Sequence, residues 1–187
     1  MPRLWRYVIV HDNGVAPNYD PPFTTVAICK PRIRQRAQIG DVVVAFASAR
    51  LPSSDGHSWG RHDLVWAGVV QESMPLAAYW NDVRFDGKKP HNSSTPDNIY
   101  IPDGQSFRQV DNDWHGTDSI TRDTGGKSVL VMNPAWRFAP ADREAPEQMT
   151  LGGSPLRMDL FNRRGHRVCA ISEEEKKTLT AWLAGKE

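Results

Sequence analysis

Apolar residues occur along the chain in short runs, several with the two-residue alternation of a β-strand. The clearest run covers residues 42–46, which follow a Gly40-Asp41 turn, and it predicts a buried strand. Fourteen glycines and fourteen prolines separate the runs and favour turns over long helices. Further strands are predicted at residues 5–10, 23–29, 64–71, 107–110, 129–132 and 168–171. The pattern predicts an α+β protein with a small, curved or barrel-like sheet and a few peripheral short helices.

The strongest helix signal lies near the C-terminus. Ser172 and Glu175 have the spacing of a capping box, and the glutamates at 173–175 lie at the positive end of the helix dipole. We therefore expect a helix over residues 173–184, with an apolar stripe of Leu179, Trp182 and Leu183. A shorter helical segment is predicted at residues 31–37, because Pro31 suits a first helical position. Residues 111–127 are expected to form a long loop.

Composition is that of an ordinary globular protein. The 187 residues are 39% hydrophobic and 24% charged, which fits one domain over residues 1–187. The net charge of +1 means that a nucleic-acid surface would be a local patch. No apolar segment is long enough for a membrane span and the first residues do not form a secretory signal, so we expect a cytoplasmic protein.

A cationic cluster of Lys30, Arg32, Arg34 and Arg36 follows a turn-rich loop that is predicted at residues 11–22. In an extended segment its four side chains would share one face, whereas in a helix Arg32 and Arg36 would align. A solvated cationic edge and a phosphate contact are both open interpretations. The candidate phosphate-binding residues are Lys30, Arg32, Arg34, Arg36 and Lys89.

The aromatic and polar residues suggest a pocket for a nucleobase. Seven tryptophans are present, and although most belong in a core, one or two can stack on a base. Amide and carboxylate groups near them can bind the hydrogen-bonding edge of a base that has left its helical stack. The candidate base-pocket residues are Asp12, Asn13, Asn18, Tyr79, Trp80, Asp97, Asn98, Tyr100, Trp114 and His115.

Three chemical motifs are incomplete. Gly126-Lys127-Ser128 lacks the earlier glycine of a Walker loop, since Thr121 occupies that position. Cys29 beside Lys30 is a conceivable nucleophile, but no GxSxG elbow accompanies it. The histidines lack the paired spacing of a zinc site, so no metal and no cofactor is expected.

Several segments in order resemble the nucleotide modification associated domain, type 2. They are Tyr7-Val8-Ile9-Val10, residues 12–18, residues 29–34 and Gly40-Asp41, followed by Tyr79-Trp80, Arg84-Phe85, Lys88-Lys89-Pro90, residues 97–100 and Trp114-His115. The resemblance covers residues 5–140, and residues 141–187 form a C-terminal extension. It implies a PUA-like β-barrel and a place in bacterial or phage systems that modify DNA bases or respond to modified ones.

The leading hypothesis is a binding module that recognises a modified base, with DNA rather than RNA as its partner. The absence of a complete catalytic constellation in the sequence favours recognition over chemistry. One alternative is an enzyme of base hypermodification, with Asp12, His115 or Asp118 as acid or base. Another is a protein-interaction scaffold.

Overall fold

The computed structural model describes residues 1–52, 56–126, 128–157 and 165–185. Its ten strands are β1 Arg3–Ile9, β2 Thr24–Val26, β3 Val42–Ala47, β4 Leu64–Pro75, β5 Tyr100–Asp103, β6 Ser106–Gln109, β7 Ser128–Arg137, β8 Thr150–Leu151, β9 Ser154–Pro155 and β10 His166–Ala170. Its helices are α1 Pro31–Arg36, α2 Leu76–Asn81, α3 Ile120–Gly125 and α4 Glu173–Leu183, with 3-10 turns at Val83–Lys88 and Thr117–Ser119. Within these ranges, no helix has both the length and the apolar character that crossing a lipid bilayer requires.

Six strands form a mixed sheet in the order β10-β1-β3-β4-β7-β2. β1 and β3 are parallel, while β10 pairs with β1, β4 with β3 and β2 with β7 in antiparallel register. The predicted α+β class with few short helices is confirmed. A closed barrel is not confirmed, because no ladder joins β10 to β2 among the residues that the structure describes.

The chain divides into two compact units. The first unit contains Met1–Asp12, Gly40–Val69 and Pro134–Glu187. Apolar residues of β1, β3, β4 and α4 form its core, in which Leu4, Val44 and Leu179 are fully buried. The buried carboxylate of Asp41 fixes the start of β1, since it accepts hydrogen bonds from Arg3 N at 2.9 Å and Trp5 Nε1 at 2.8 Å.

The second unit contains Asn13–Ile39 and Val70–Asn133. Its core joins the segment after β2 to α2, β5 and β7, and its fully buried members include Ile28, Tyr79, Phe85 and Ile99. Every residue of the candidate active site described below belongs to this unit.

Two of the predicted helices are confirmed and one predicted loop is wrong. α4 begins at Glu173 behind the expected capping box, in which Ser172 and Glu175 exchange hydrogen bonds. α1 takes the helical alternative for the cationic cluster. The expected long loop at residues 111–127 instead contains a 3-10 turn and α3, because Asp123 is buried there as a hydrogen-bond acceptor. Lys127 lies outside the described residues. The basic sequence at residues 162–167, which we expect to form a turn, is described only from Gly165 onwards.

Arg34 attaches α1 to the chain around α3. Its buried guanidinium donates to the carbonyl oxygens of Cys29 at 2.7 Å, Ala27 at 2.5 Å and Ser128 at 3.0 Å, and also to that of Asp123. Burial of a cation is expensive unless its donors are satisfied, and these carbonyls satisfy them. Arg34 thereby fixes the backbone at both Cys29 and Asp123.

Gly126 leaves the space that this guanidinium occupies. A Cβ at residue 126 would lie 2.5 Å from Arg34 Cζ, whereas a Cβ at Gly125 would meet nothing within 4 Å. We expect Gly126→Ala to lower the free energy of unfolding by about 1–3 kcal/mol through overpacking. Urea denaturation measures this change. The matched Gly125→Ala variant is expected to be neutral or more stable by up to about 1 kcal/mol, and equal effects of the two variants would contradict the role of Gly126.

Candidate active site

Cys29 lies in a sharp turn between β2 and α1. The backbones of Cys29 and Lys30 are left-handed, with φ of 55° and 42°, a conformation that costs a non-glycine residue about 1–2 kcal/mol. Such strain persists only where the surrounding structure enforces it, and it concentrates at functional positions. A strained turn between a strand and a helix is also the setting of a nucleophile elbow. The turn therefore presents Cys29 as a candidate nucleophile.

His115 is positioned through its backbone. Asn112 Oδ1 accepts hydrogen bonds from His115 N at 2.8 Å and Trp114 N at 3.1 Å, and the side-chain amides of Gln109 and Asn112 donate to the His115 carbonyl. These bonds fix the segment after β6. They leave His115 Nε2 at 3.5 Å from Cys29 Sγ, which is a hydrogen-bond distance for sulfur.

The carboxylate of Asp123, on α3, completes the arrangement. Its Oδ2 lies 2.5 Å from His115 Nδ1 and accepts the hydroxyl of Tyr100 at 2.9 Å. Its Oδ1 accepts Cys29 N at 3.0 Å and Arg122 Nε at 3.2 Å. Asp123 therefore orients the imidazole and fixes the backbone of the thiol residue with the same carboxylate.

The three side chains have the order and roles of a thiol, imidazole and carboxylate triad. One ring nitrogen of His115 faces the sulfur and the other faces the carboxylate. In nucleophilic enzymes, this is the geometry in which a histidine exchanges a proton with the nucleophile while a third group orients it.

The electrostatics favour a protonated imidazole. Burial lowers the pKa of His115, but hydrogen bonds to Asp123 and Cys29 outweigh that effect and raise the pKa to about 9. Burial likewise opposes the charge of Asp123, yet the hydrogen bond from His115 and the bonds from Cys29 N and Tyr100 keep its pKa below the usual value. The pKa of Tyr100 is raised by burial and by the neighbouring carboxylate, so its hydroxyl remains a donor. A cationic imidazole beside a sulfur is the partner that a thiolate nucleophile needs.

A metal centre is a less suitable interpretation of the same residues. Cys29, His115 and Asp123 each offer a ligand atom, and these atoms lie within 4.8 Å of one another. However, His115 directs Nε2 to the thiol and Nδ1 to the carboxylate, so a metal at one nitrogen would be separated from the third ligand by the ring. The 2.5 Å between Nδ1 and Oδ2 is a hydrogen-bond distance, shorter than the roughly 3.3 Å between two ligands of a tetrahedral ion with bonds of about 2.0 Å.

Five of the predicted base-pocket residues are buried in the second unit. Tyr79 OH and Thr25 Oγ1 each donate to Asp97 at 2.7 Å, and the Asn98 amide donates to the carbonyl of Tyr79 at 3.1 Å. Asn18 Oδ1 accepts the ammonium of Lys88 at 2.6 Å. Tyr100, the fifth, binds Asp123. Burial raises the pKa of Asp97 and, together with that carboxyl, the pKa of Tyr79.

The other predicted base-pocket residues are at least partly exposed. The Trp114 side chain is 41% exposed and donates Nε1 to Ser94 O at 3.1 Å, and it precedes His115 directly. Trp80 packs under the ammonium of Lys89, 4.6 Å from the ring centroid. Asp12 belongs to the first unit, where its carboxylate pairs with Arg137 at 3.2 Å, and Asn13 Oδ1 accepts Val15 N at 3.3 Å. Whether these residues bind a base stays a prediction.

The predicted phosphate-binding residues lie in four different environments. Arg32 and Arg36 are exposed on α1, while Arg34 is buried and donates to carbonyls. Lys30 lies beside the thiol, and burial lowers its pKa against the opposing charge of Cys29. Lys89 also forms an ion pair with Asp86 at 2.5 Å. The phosphate contacts themselves stay predictions.

Cys29 and His115 are separate candidates in the sequence, and Asp123 is not among the candidates. Cys29 and His115 are 86 positions apart, and Asp123 lies in a segment that was predicted to be a loop. Cys29 and His115 both lie in segments that carry the family resemblance, and this shared membership is the available signal. Asp123 lies outside those segments. Asp118, the acid that was considered instead, is exposed in the 3-10 turn before α3.

Comparison with known proteins supports the resemblance. No curated protein and no solved structure matches the chain. The family model of nucleotide modification associated domain 2 matches residues 1–187, which includes the C-terminal segment beyond residue 140. The resemblance inferred from residues 5–140 is thus confirmed. The chain belongs to the nucleotide modification associated domain 2 family.

Proposed function

We propose that this protein is a cysteine-dependent acyl-transfer enzyme that acts on acylated nucleobases. The reaction forms a thioester at Cys29 and passes the acyl group to water or to an amine acceptor. The observation that carries this proposal is the His115 ring, with Nε2 at 3.5 Å from the Cys29 sulfur and Nδ1 at 2.5 Å from the Asp123 carboxylate. The association of the family with nucleotide modification supports a nucleobase as the acyl carrier.

The chemistry follows from the positions of the three side chains. The Cys29 thiolate attacks the carbonyl carbon of the acyl group and forms a C–S bond. The C–N bond to the base then breaks, and protonated His115 gives its proton to the leaving nitrogen. Neutral His115 next takes a proton from water, whose oxygen attacks the thioester. The C–S bond breaks, a carboxylic acid leaves, and the ion pair of Cys29 and His115 is restored.

Acyl transfer suits this arrangement better than proton abstraction by a lone acid or base. A histidine oriented by a carboxylate contributes about 10²–10⁴-fold when it transfers a proton in the transition state. The cytoplasmic location that we expect, where thiols remain reduced, supports a cysteine as the nucleophile. Neither the closed PUA-like barrel nor the bacterial or phage setting is needed for the chemistry, and both stay predictions.

Base recognition remains part of the proposal. Trp114 exposes 41% of its surface, its ring is tethered by the bond to Ser94 O, and it is adjacent in sequence to His115. An exposed, tethered indole offers a stacking face worth about 1–3 kcal/mol per base. This observation also favours a second candidate function, a reader of modified DNA bases that performs no chemistry. The two differ because only the enzyme requires the Cys29 thiol.

Acyl transfer to the thiol can be measured directly. We expect p-nitrophenyl acetate to give a burst of one equivalent of p-nitrophenolate and to leave one acetyl group on Cys29, detected by peptide mass spectrometry. An oligodeoxynucleotide containing N4-acetylcytosine is expected to lose its acetyl group, as measured by nucleoside mass spectrometry. The Cys29→Ser variant is the matched control. An intact N4-acetylcytosine with no acetyl group on Cys29 would favour the reader.

The reactivity of the thiol tests the pairing of Cys29 with His115. We expect Cys29 to react with iodoacetamide at pH 6 about tenfold faster than N-acetylcysteine, because a cationic imidazole 3.5 Å from the sulfur makes it a better nucleophile. His115→Gln and Asp123→Asn are expected to remove most of this advantage. Peptide-resolved mass spectrometry follows Cys29 and Cys169 in the same sample. Unchanged rates at Cys29 in both variants would contradict the pairing.

The pKa of His115 also predicts a pH dependence of stability. Its value in the folded protein, about 9, lies above the ordinary value of 6.5. The folded state therefore binds the proton more tightly, and the contribution to the free energy of unfolding is complete below pH 6.5 and is lost as the pH rises through 9. Urea denaturation between these pH values should show a decline in the wild type that is smaller in His115→Gln. The variant of the exposed His91, His91→Gln, should keep the wild-type decline, and the same decline in His115→Gln would refute the assignment.

A further inference from the structure

Positive charges surround Cys29 more densely than the triad requires. His115 Nε2 lies 3.5 Å from the sulfur, and Arg34 Nε donates to the Cys29 carbonyl at 2.7 Å. Arg122 Nε lies 3.2 Å from Asp123 Oδ1, the oxygen that also accepts Cys29 N at 3.0 Å. Lys30 is the next residue along the turn. A negative charge on the Cys29 sulfur would raise the pKa of each of these four side chains.

The four cations differ in what they can contact. The donors of Arg34 are used by carbonyl groups inside the second unit, so its charge is fixed there. Arg122 is different, because 53% of its side chain is exposed. Its Nε and Nη2 bind Asp123 and Ser119 Oγ. Among the described residues, Nη1 of Arg122 has no hydrogen-bond partner and can reach a ligand from the solvent side.

The anions of the site do not balance these cations. With the triad in its ion-pair form, Asp123 and the Cys29 thiolate carry two negative charges, while His115, Arg34 and Arg122 alone carry three positive charges. The carboxyl of Asp97 also acts on Arg34, and it is itself close to the ammonium of Lys88. An uncompensated charge beside a partly exposed thiol attracts an anionic ligand.

We propose that the substrate carries an anionic oxygen group next to the carbon that Cys29 attacks, and that Arg122 binds this group. The inference rests on the proposed function and specifies its substrate class. The anion can be a phosphate of the nucleotide or a carboxylate on the transferred acyl chain, and both present oxygens to a guanidinium in the same way.

Two alkylating reagents that differ mainly in charge test the inference. Iodoacetate and iodoacetamide both form a C–S bond and release iodide, but only iodoacetate carries a negative charge. The measured quantity is the ratio of their second-order rate constants at Cys29, divided by the same ratio for N-acetylcysteine. At an ionic strength of about 0.01 M we expect this normalised ratio to be about tenfold above unity, and we expect it to fall towards unity at about 1 M because of screening.

Variants assign the effect to Arg122. Arg122→Gln should bring the normalised ratio towards unity, and Arg122→Lys should preserve most of it because the charge remains. Arg108→Gln, which removes an exposed arginine on β6, is the matched control and should keep the wild-type ratio. A wild-type ratio near unity, or an equal loss in Arg108→Gln and Arg122→Gln, would overturn the inference.

The same measurements separate failure of the inference from failure of the proposed function. Reaction of Cys29 with iodoacetamide no faster than that of N-acetylcysteine contradicts the proposed function. Fast reaction with iodoacetamide, together with a normalised ratio near unity, contradicts only the inference of an anionic substrate. Protection of Cys29 from iodoacetamide by inorganic phosphate, compared with acetate at equal ionic strength, then distinguishes the phosphate from the carboxylate. The normalised ratio of the two rate constants decides whether the inference holds.

Discussion

The buried carboxylate of Asp123 is the interaction on which the candidate site depends. It forms hydrogen bonds with Cys29 N, the His115 ring, the Tyr100 hydroxyl and Arg122 Nε. A buried carboxylate without such donors would be strongly destabilising. With them, it holds segments that are far apart in the sequence and keeps a proton on the imidazole. The same carboxylate therefore stabilises the fold of the second unit and orients the side chains of its candidate active site.

A second constraint acts through the backbone. Arg34 binds the carbonyls of Cys29 and Asp123 with one rigid guanidinium, and Gly126 leaves room for it. The left-handed turn at Cys29 and Lys30 is strained, and Arg34 is part of the structure that can maintain it. Arg34, a predicted phosphate ligand, thus contributes to positioning the candidate nucleophile.

Local sequence patterns are sufficient to predict those elements whose signals lie within a few residues of one another. The apolar run of β3 and the Ser172–Glu175 capping box are of this kind, because burial and capping depend on neighbouring positions. The alternation of cations at 30–36 left two alternatives, and the structure selects the helix. The triad cannot be predicted in the same way. Its geometry depends on contacts between Cys29, His115 and Asp123, and a local sequence pattern does not contain them because Cys29 is far from the other two residues in the sequence. The missing GxSxG sequence argued against a nucleophile, whereas the strained turn that supports one is visible only in the backbone.

The central claim is that Asp123 keeps His115 protonated beside the Cys29 sulfur. NMR titration of the His115 ring measures this most directly, with the resonance assigned by comparison with His115→Gln. We expect an apparent pKa of about 9 for His115 in the wild type, and a fall towards the ordinary value of about 6.5 in Asp123→Asn. A wild-type His115 that titrates at or below about 6.5 would contradict the account.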